Sequence, residues 1–507
     1  MRTLFFKLSF LIIVFLIPSP ARSQKQIDYT ALDQYIAKAL EDFDLPGLAI
    51  GIIKDSTLVF QKGYGLREAG KADKITPQSV FAIASCSKAF TATCLGMLVD
   101  EGKIKWDDKV IDHLPEFQLH DPYVTRELTI RDLLCHRTGL ATFDGDLLWY
   151  GTSYNRKQVI RRIRHLPLKN SFRSKFGYQN VMFIAAGEVI EAVTGESWDE
   201  FVKHRIFEPL EMQFTSTSIK DFEQDQNLAA PHLKGEPMAH QNFDNVGPAG
   251  SINSNVEDLL NWLQMWLNQG KWKKEQILTS ETVETILSPQ TILHVGSHEK
   301  TIGIHFKTYG LGWILMDYSG RKVITHGGGL PGFISNVTLV PEEKLGMVIL
   351  TNDMSSLPRA LMYKILDLFL SESEKDWAGE FLRQHQKMQQ DSDNKKAEKE
   401  EKKKKGTKPS LDLNEYTGIY EDKMYGKAKI SERKGKLFLK LLPTENLFTS
   451  VMEHWHYNTF TIKFKDPFLP QGFVTFDFNA DGRITGFKID LPNPDLHFHN
   501  LDFKRIE

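Results

Sequence analysis

Short β-type runs stand at both ends of a long first region, with helical patterns between them. Residues 48–53 and 57–61 read as a hairpin across Lys54-Asp55-Ser56. Residues 309–316, 322–326, 335–340 and 346–351 read as an antiparallel meander. The two sets are expected to join one sheet, which needs helices to cover its apolar faces. Residues 28–43 place Tyr29, Leu32, Ile36, Leu40 and Phe43 on one side of a helix, and residues 357–370 form another to pack on the sheet. The expected class is α+β: an antiparallel sheet flanked by helices, plus a helical subdomain.

The apolar run Phe81-Ala82-Ile83-Ala84 leads into Ser85, and Lys88 follows three residues later. Phe90, Cys94, Met97 and Leu98 then recur at helical spacing up to Gly102. If Ser85 opens that helix, Ser85 and Lys88 share a face, about 5–6 Å apart at Cβ. The amine can take the hydroxyl proton, and a helix start offers N–H groups to an oxyanion. S-x-x-K recurs by chance, so its weight rests on partner motifs.

Two partners follow in order. Tyr178-Gln179-Asn180 sets a phenol and a carboxamide in a loop before a helix. Neighbouring cations such as Lys88 are expected to lower the phenol from its usual pKa of about 10. Asn180 can bond both Lys88 and a substrate carbonyl. His326-Gly327-Gly328-Gly329 ends a strand, and its glycines let a substrate approach the backbone. Alone, each of these is an ordinary loop or turn.

Other residues invite weaker readings. Cys86 reads as a small packing residue, and three cysteines leave at least one thiol free. His136, after the capping box Thr129-Ile130-Arg131-Asp132, is a base by type or a structural histidine near the site. His454 with His456, and His497 with His499, read as exposed pairs on strand faces. No metal or cofactor is expected. There is no G-x-S-x-G elbow, no zincin motif and no phosphate loop.

The N-terminus has a basic start, an apolar stretch from Leu8 to Ile17, and small residues at Ala21 and Ser23. We expect a signal peptide over 1–23, cleaved after Ser23, and an exported periplasmic or secreted protein. No later stretch is long and apolar enough to cross a bilayer. The net charge of −2 gives no reason to expect nucleic acid as a partner. Cleavage removes Arg2, Lys7 and Arg22, leaving about −5. The first domain is expected over 24–388. Residues 389–410 form a charged linker, either a solvated helix or a flexible segment. Residues 411–507 form a small all-β domain, with a hairpin turn at Asn479-Ala480-Asp481-Gly482.

Together, Ser85-Cys86-Ser87-Lys88, Tyr178-Gln179-Asn180 and His326-Gly327-Gly328 resemble the three signature motifs of the serine β-lactamase and penicillin-binding-protein superfamily. The middle Tyr is similar to its class C branch, which also holds D,D-carboxypeptidases, D-aminopeptidases and esterases. The resemblance spans about residues 28–370 and implies a β-lactamase/D,D-peptidase-like fold. It implies Ser85 as the acylated nucleophile and Lys88 and Tyr178 as general bases. Asn180, His326, Gly327, Gly328 and Gly329 would bind substrate, with the N–H groups of Ser85 and Gly329 as the oxyanion hole. The C-terminal unit resembles the accessory domain that often follows.

β-Lactamases usually carry Lys where this chain has His326. An imidazole near pKa 6.5 is mostly neutral at pH 7 and holds a carboxylate less well. The expectation is therefore an acyl-enzyme peptidase or esterase, acting on small-molecule or peptide substrates including cell-wall (peptidoglycan) fragments. A true β-lactamase and a non-catalytic binding protein are the alternatives. Pocket walls are expected from residues 143–171 and 223–245. The acyl group, the leaving group and the oligomeric state are not legible.

Overall fold

The computed structural model describes residues 27–223, 226–444 and 446–506. The expected signal peptide lies outside the described residues. Eight strands form the main sheet: β1 (Gly47–Lys54), β2 (Thr57–Gly65), β3 (Thr291–Ile292), β4 (Lys307–Tyr309), β5 (Ile314–Tyr318), β6 (Arg321–Leu330), β7 (Phe333–Val340) and β8 (Leu345–Thr351), in the order β2-β1-β8-β7-β6-β5-β4-β3. The pairing of β1 with β8 runs from Leu48↔Thr351 to Lys54↔Leu345, so the N-terminal hairpin and the meander share one antiparallel sheet. Asp55 and Ser56 both take positive φ, 51° and 62°, which a two-residue hairpin turn requires.

The expected run 309–316 is instead broken. Gly312, at φ 79°, turns the chain between β4 and β5. Strand β6 also outruns the expected 322–326, continuing through all three glycines.

Every residue of β8 is buried, because helices cover both faces. Helix α1 (Tyr29–Asp42), capped by Asp28, packs beside a C-terminal pair on one face. On the other face lie α2 (Ser87–Asp100) and α4 (Val256–Leu267), with α3 (Asn180–Thr194) beyond. Residues 87–98 of α2 are all buried, so this helix is covered around its circumference, with Ser87, Lys88, Thr91 and Thr93 as its buried polar residues. Gly51 brings α4 onto the sheet, since a Cβ there would lie 2.4 Å from Val256 Cγ1.

The C-terminal pair is α5 (Leu357–Leu370) and α6 (Trp377–Glu401). Of the two readings for the charged linker, a helix is found. It begins in the first domain, where Trp377 stacks on Tyr363 at 4.8 Å, and crosses the boundary expected at residue 388. Beyond it β9 (Gly418–Asp422), β10 (Gly426–Arg433), β11 (Lys436–Leu441), β12 (Thr449–His456), β13 (Thr459–Ile462), β14 (Gly472–Phe478), β15 (Ile484–Asp490) and β16 (Phe503–Arg505) close into a barrel. A register shift separates His454 from His456 on β12. His497 and His499 lie outside any strand, at a 3₁₀ turn, so they form no strand-face pair.

The barrel is docked, not tethered. Tyr150 Oη donates to Asp466 Oδ2 at 2.8 Å, Tyr154 Oη to Tyr425 O at 2.7 Å, and Arg162 Nη1 to Met424 O at 2.9 Å. Among the described residues no helix is long and apolar enough to cross a membrane.

Candidate active site

Ser85 sits on a 3₁₀ turn, Ala84–Cys86, two residues ahead of the start of α2 rather than inside it. Ala84 takes φ 49°, a left-handed conformation costing roughly 1–3 kcal/mol for a non-glycine residue. Neighbours hold the turn in place. Ser335 Oγ donates to Ile83 O at 2.7 Å, and Cys86 Sγ donates to His326 O at 3.3 Å. Cys86 is thus buried packing, and burial pushes its thiol up to about 12.

Gly328 makes the fit possible. A Cβ there would stand 2.2 Å from Ile83 O and 2.4 Å from Ser335 Oγ. Gly327 and Gly329 face outward and are exposed. Strand β5 pairs with β6 only up to Thr325, whereas β7 accompanies it to Leu330. Among the described residues no strand pairs with this edge of residues 326–330, beside Ser85, so an extended substrate can align its backbone there.

Lys88 is fully buried. Its Nζ lies 3.0 Å from Ser85 Oγ, 2.6 Å from Asn180 Oδ1 and 2.8 Å from Ala249 O. Burial pushes its pKa down to about 7, against the pull of Asp146. Asp146 Oδ2 accepts from Asn180 Nδ2 at 2.7 Å, and its other oxygen accepts from Trp149 Nε1 at 2.9 Å. Burial raises the Asp146 carboxyl to about 7.

Tyr178 corrects the sequence expectation. Burial drives its hydroxyl above the usual phenol range, and a hydrogen bond with Ser85 only partly offsets this. Lys88 sits over the ring face, 4.7 Å from the centroid, but does not make the phenol acidic. His136 stacks on the same ring at 4.2 Å, and its Nδ1 accepts from Gln179 N at 2.9 Å. Burial keeps it well below the usual imidazole range, so His136 is a neutral support for the Tyr178 loop.

His326 is buried and neutral. Its pKa falls to about 3 through burial and the nearby Lys88 charge. Nδ1 lies 2.7 Å from the Gly327 carbonyl, which can only accept, so Nδ1 carries the proton and Nε2 accepts from Tyr309 Oη at 2.9 Å.

The cleft over Ser85 encloses about 670 Å³. Phe143, Asp146, Trp149 and Tyr150 line it, as expected for residues 143–171. The second expected wall, 223–245, does not line this cleft. Instead the start of α5, part of α6, and Phe468, Asp495 and Leu496 of the barrel domain do so. Asp146 and Asp495 carry no motif or periodicity signal, Tyr309 is legible only as the start of a β-type run, and none of the three is singled out for the site by sequence. Among the described residues no cluster of ligating side chains could hold a metal ion.

The family described as Beta-lactamase matches residues 32–369, and the Domain of unknown function (DUF3471) matches residues 402–505. The unguisins hydrolase ungD of Aspergillus violaceofuscus is 28% identical over 390 residues, covering 70% of this chain and 68% of that protein. Protein flp of Staphylococcus aureus is 25% identical over 338 residues, covering 65% and 63%. The chain thus spans about two thirds of the length of these relatives. The structure of the octameric penicillin-binding protein homologue from Pyrococcus abyssi has the same fold. It aligns with a TM-score of 0.62 at 21% identity, over 94% of this chain and 100% of that one. With the model of the family covering most of the chain, the protein belongs to the Beta-lactamase family and is a serine hydrolase of that superfamily.

Proposed function

We propose that this protein is an exported hydrolase that cleaves amides or esters through an acyl-enzyme on Ser85, as a penicillin-binding-protein-like peptidase or an esterase. The observation that carries the reading is the buried Lys88 amine, 3.0 Å from Ser85 Oγ and poised near neutrality. A neutral amine takes the Ser85 proton as Oγ attacks the carbonyl, and the oxyanion rests on the N–H groups of Ser85 and Gly329. The proton returns to the leaving group as its bond to the acyl carbon breaks. Water then repeats the sequence, giving the acid and free Ser85. Tyr178, held protonated in the resting site, donates a hydrogen bond or relays a proton beside Ser85. Asn180 orients Lys88 and the substrate carbonyl.

The neutral, pinned His326 supports a peptidase or esterase over a β-lactamase, because it offers no cation to a substrate carboxylate. Peptides, including cell-wall fragments, fit the free edge of β6. Export rests on the leader in the sequence.

Intact mass after exposure to a fluorophosphonate and, separately, a fluorescent penicillin tests the reading on wild type and Ser85→Ala. A Ser85-dependent phosphonate adduct is expected. A lasting penicillin adduct would add a D,D-peptidase-like site, and its absence would favour an esterase or aminopeptidase. No label on the wild type overturns catalysis.

A further inference from the structure

We propose that the barrel domain completes the substrate site: the Asp495 carboxylate and the aromatic wall of Trp149, Tyr150 and Phe468 bind a protonated amine of the substrate. The enzyme would then act on amides or esters carrying a free amino group. This inference rests on the hydrolase reading above and names its substrate class.

Asp495 lines the same cleft as Ser85, although it lies far along the chain in the other domain. Its loop is fixed. Asn493 Oδ1 accepts from the backbone N–H groups of Asp495 and Leu496, each at 2.9 Å. The next residue, His497, meets Asp144 of the first domain at 3.1 Å, and Asn500 Nδ2 donates to the same carboxylate oxygen at 3.3 Å. Docking of the barrel therefore sets where Asp495 stands.

Among the described residues, no side chain or backbone group forms a hydrogen bond or ion pair with the Asp495 carboxylate. The group is half-buried, and the Asp146 carboxyl is close enough to feel its charge. A carboxylate partly withdrawn from water without a partner bears part of the desolvation cost, and an incoming cation offsets it. Burial accordingly raises Asp495, while His497 pulls the other way.

The surrounding surface suits an ammonium group. Trp149 and Tyr150 meet edge to face at 5.7 Å, and the Phe468 ring is 6.5 Å from Tyr150. Aromatic faces attract cations in such settings. The cations already in the cleft are spent elsewhere. Lys88 serves Ser85, Asn180 and Ala249. Lys307 and Arg359, at the α5–α6 end, both face Glu299, at 2.6 and 3.4 Å. His326 is neutral. The end of the cleft under the barrel is thus anionic and aromatic; among the described residues the cationic group that acts on Asp495 is His497, which is itself engaged by Asp144.

Calorimetric titration of the full chain with phenylalaninamide and with its N-acetyl derivative, in both enantiomers, tests this. Wild type is expected to bind one free amine at least about tenfold more tightly than its acetylated form. Asp495→Asn, nearly isosteric, should bring that ratio close to one, while Asp495→Glu should retain a preference. Thermal melts confirm folding, and if Asp495→Asn does not fold, the wild-type ratio and Asp495→Glu decide. No binding of the free amine, no preference in the wild type, or a preference surviving in folded Asp495→Asn overturns the proposal. Phosphonate labelling of Ser85 reads the hydrolase reading separately. Labelling without amine preference sinks only this inference, and amine preference without labelling sinks only the other.

Discussion

Asn180 joins Lys88 to Asp146: its Oδ1 lies 2.6 Å from Lys88 Nζ, and its Nδ2 lies 2.7 Å from Asp146 Oδ2. The amine beside Ser85 is therefore positioned through a carboxamide by a buried carboxylate, and its proton affinity depends on that carboxylate's charge. Asp146 raises the Lys88 pKa while burial lowers it to about 7.

The acid limb of kcat/KM should accordingly reflect the Lys88–Asp146 pair near pH 7, with activity rising as Lys88 loses its proton. Asp146→Asn removes the charge that raises Lys88, so the limb should move to lower pH. It also misorients Asn180, since one amide cannot accept from both Trp149 Nε1 and Asn180 Nδ2 through two oxygens. We expect about a 10–100-fold loss of kcat/KM at the optimum, with the shifted limb separating a positioning role from mere destabilisation. Lys88→Ala should lose about 10²–10⁴-fold. pH–rate profiles of the three proteins on a neutral ester check both.

His326 should leave a signature in stability. Its folded pKa of about 3 lies below the ordinary 6.5, so between these values the unfolded chain binds the extra proton. The sign follows: stability from this group is present above about pH 6.5 and is lost as pH falls through that window. Glutamine can still face Tyr309 and Gly327 but does not titrate. His326→Gln should therefore flatten the stability-versus-pH slope between about pH 6 and pH 4, by up to about 1.4 kcal/mol per pH unit. Urea unfolding across that range measures it, and an unchanged slope would count against a buried neutral imidazole.

Sheet and motifs were legible in the sequence because each is written locally. The strands show as β-type runs, and the motif residues are types whose chemistry depends on spacing. Partnerships across long separations were not. Asp146 sits in a loop without periodicity, and its role comes from facing Asn180. Lys88 was expected to acidify Tyr178, yet burial lifts the phenol instead, offset only in part by the hydrogen bond with Ser85. Sequence shows the neighbours but not the depth. The barrel's place over the cleft was also hidden, because docking contacts such as Tyr154 with the Tyr425 carbonyl use backbone atoms that carry no residue code.

The three glycines of β6 should differ. Gly328→Ala drives a methyl to 2.2 Å from Ile83 O, in the segment that carries Ser85. We expect a loss of about 1–3 kcal/mol together with loss of phosphonate labelling. At Gly327 the nearest atom to a new Cβ is Ser335 O at 3.7 Å, so Gly327→Ala should stay within about 0.5 kcal/mol in stability. Equal melting of the two variants would contradict this packing.

Barrel docking can be read through Tyr150. Its hydroxyl donates to the buried Asp466 at 2.8 Å, and Asp466 also accepts from Phe468 N at 2.9 Å. Burial raises the Asp466 carboxyl, and the Tyr150 hydrogen bond restrains that rise. Tyr150→Phe strips the donor and should cost about 1–3 kcal/mol. Without it the carboxyl rises further. A carboxyl raised in the folded state loses stability as pH climbs through its folded pKa, so the cost should be greater at pH 7.5 than at pH 4. Asp466→Asn removes the charge and should cost less in the Tyr150→Phe background than in wild type, so the double mutant loses less stability than the sum of the two single mutants. Additive effects that do not change with pH would mean that this hydrogen bond does not hold the barrel to the catalytic domain.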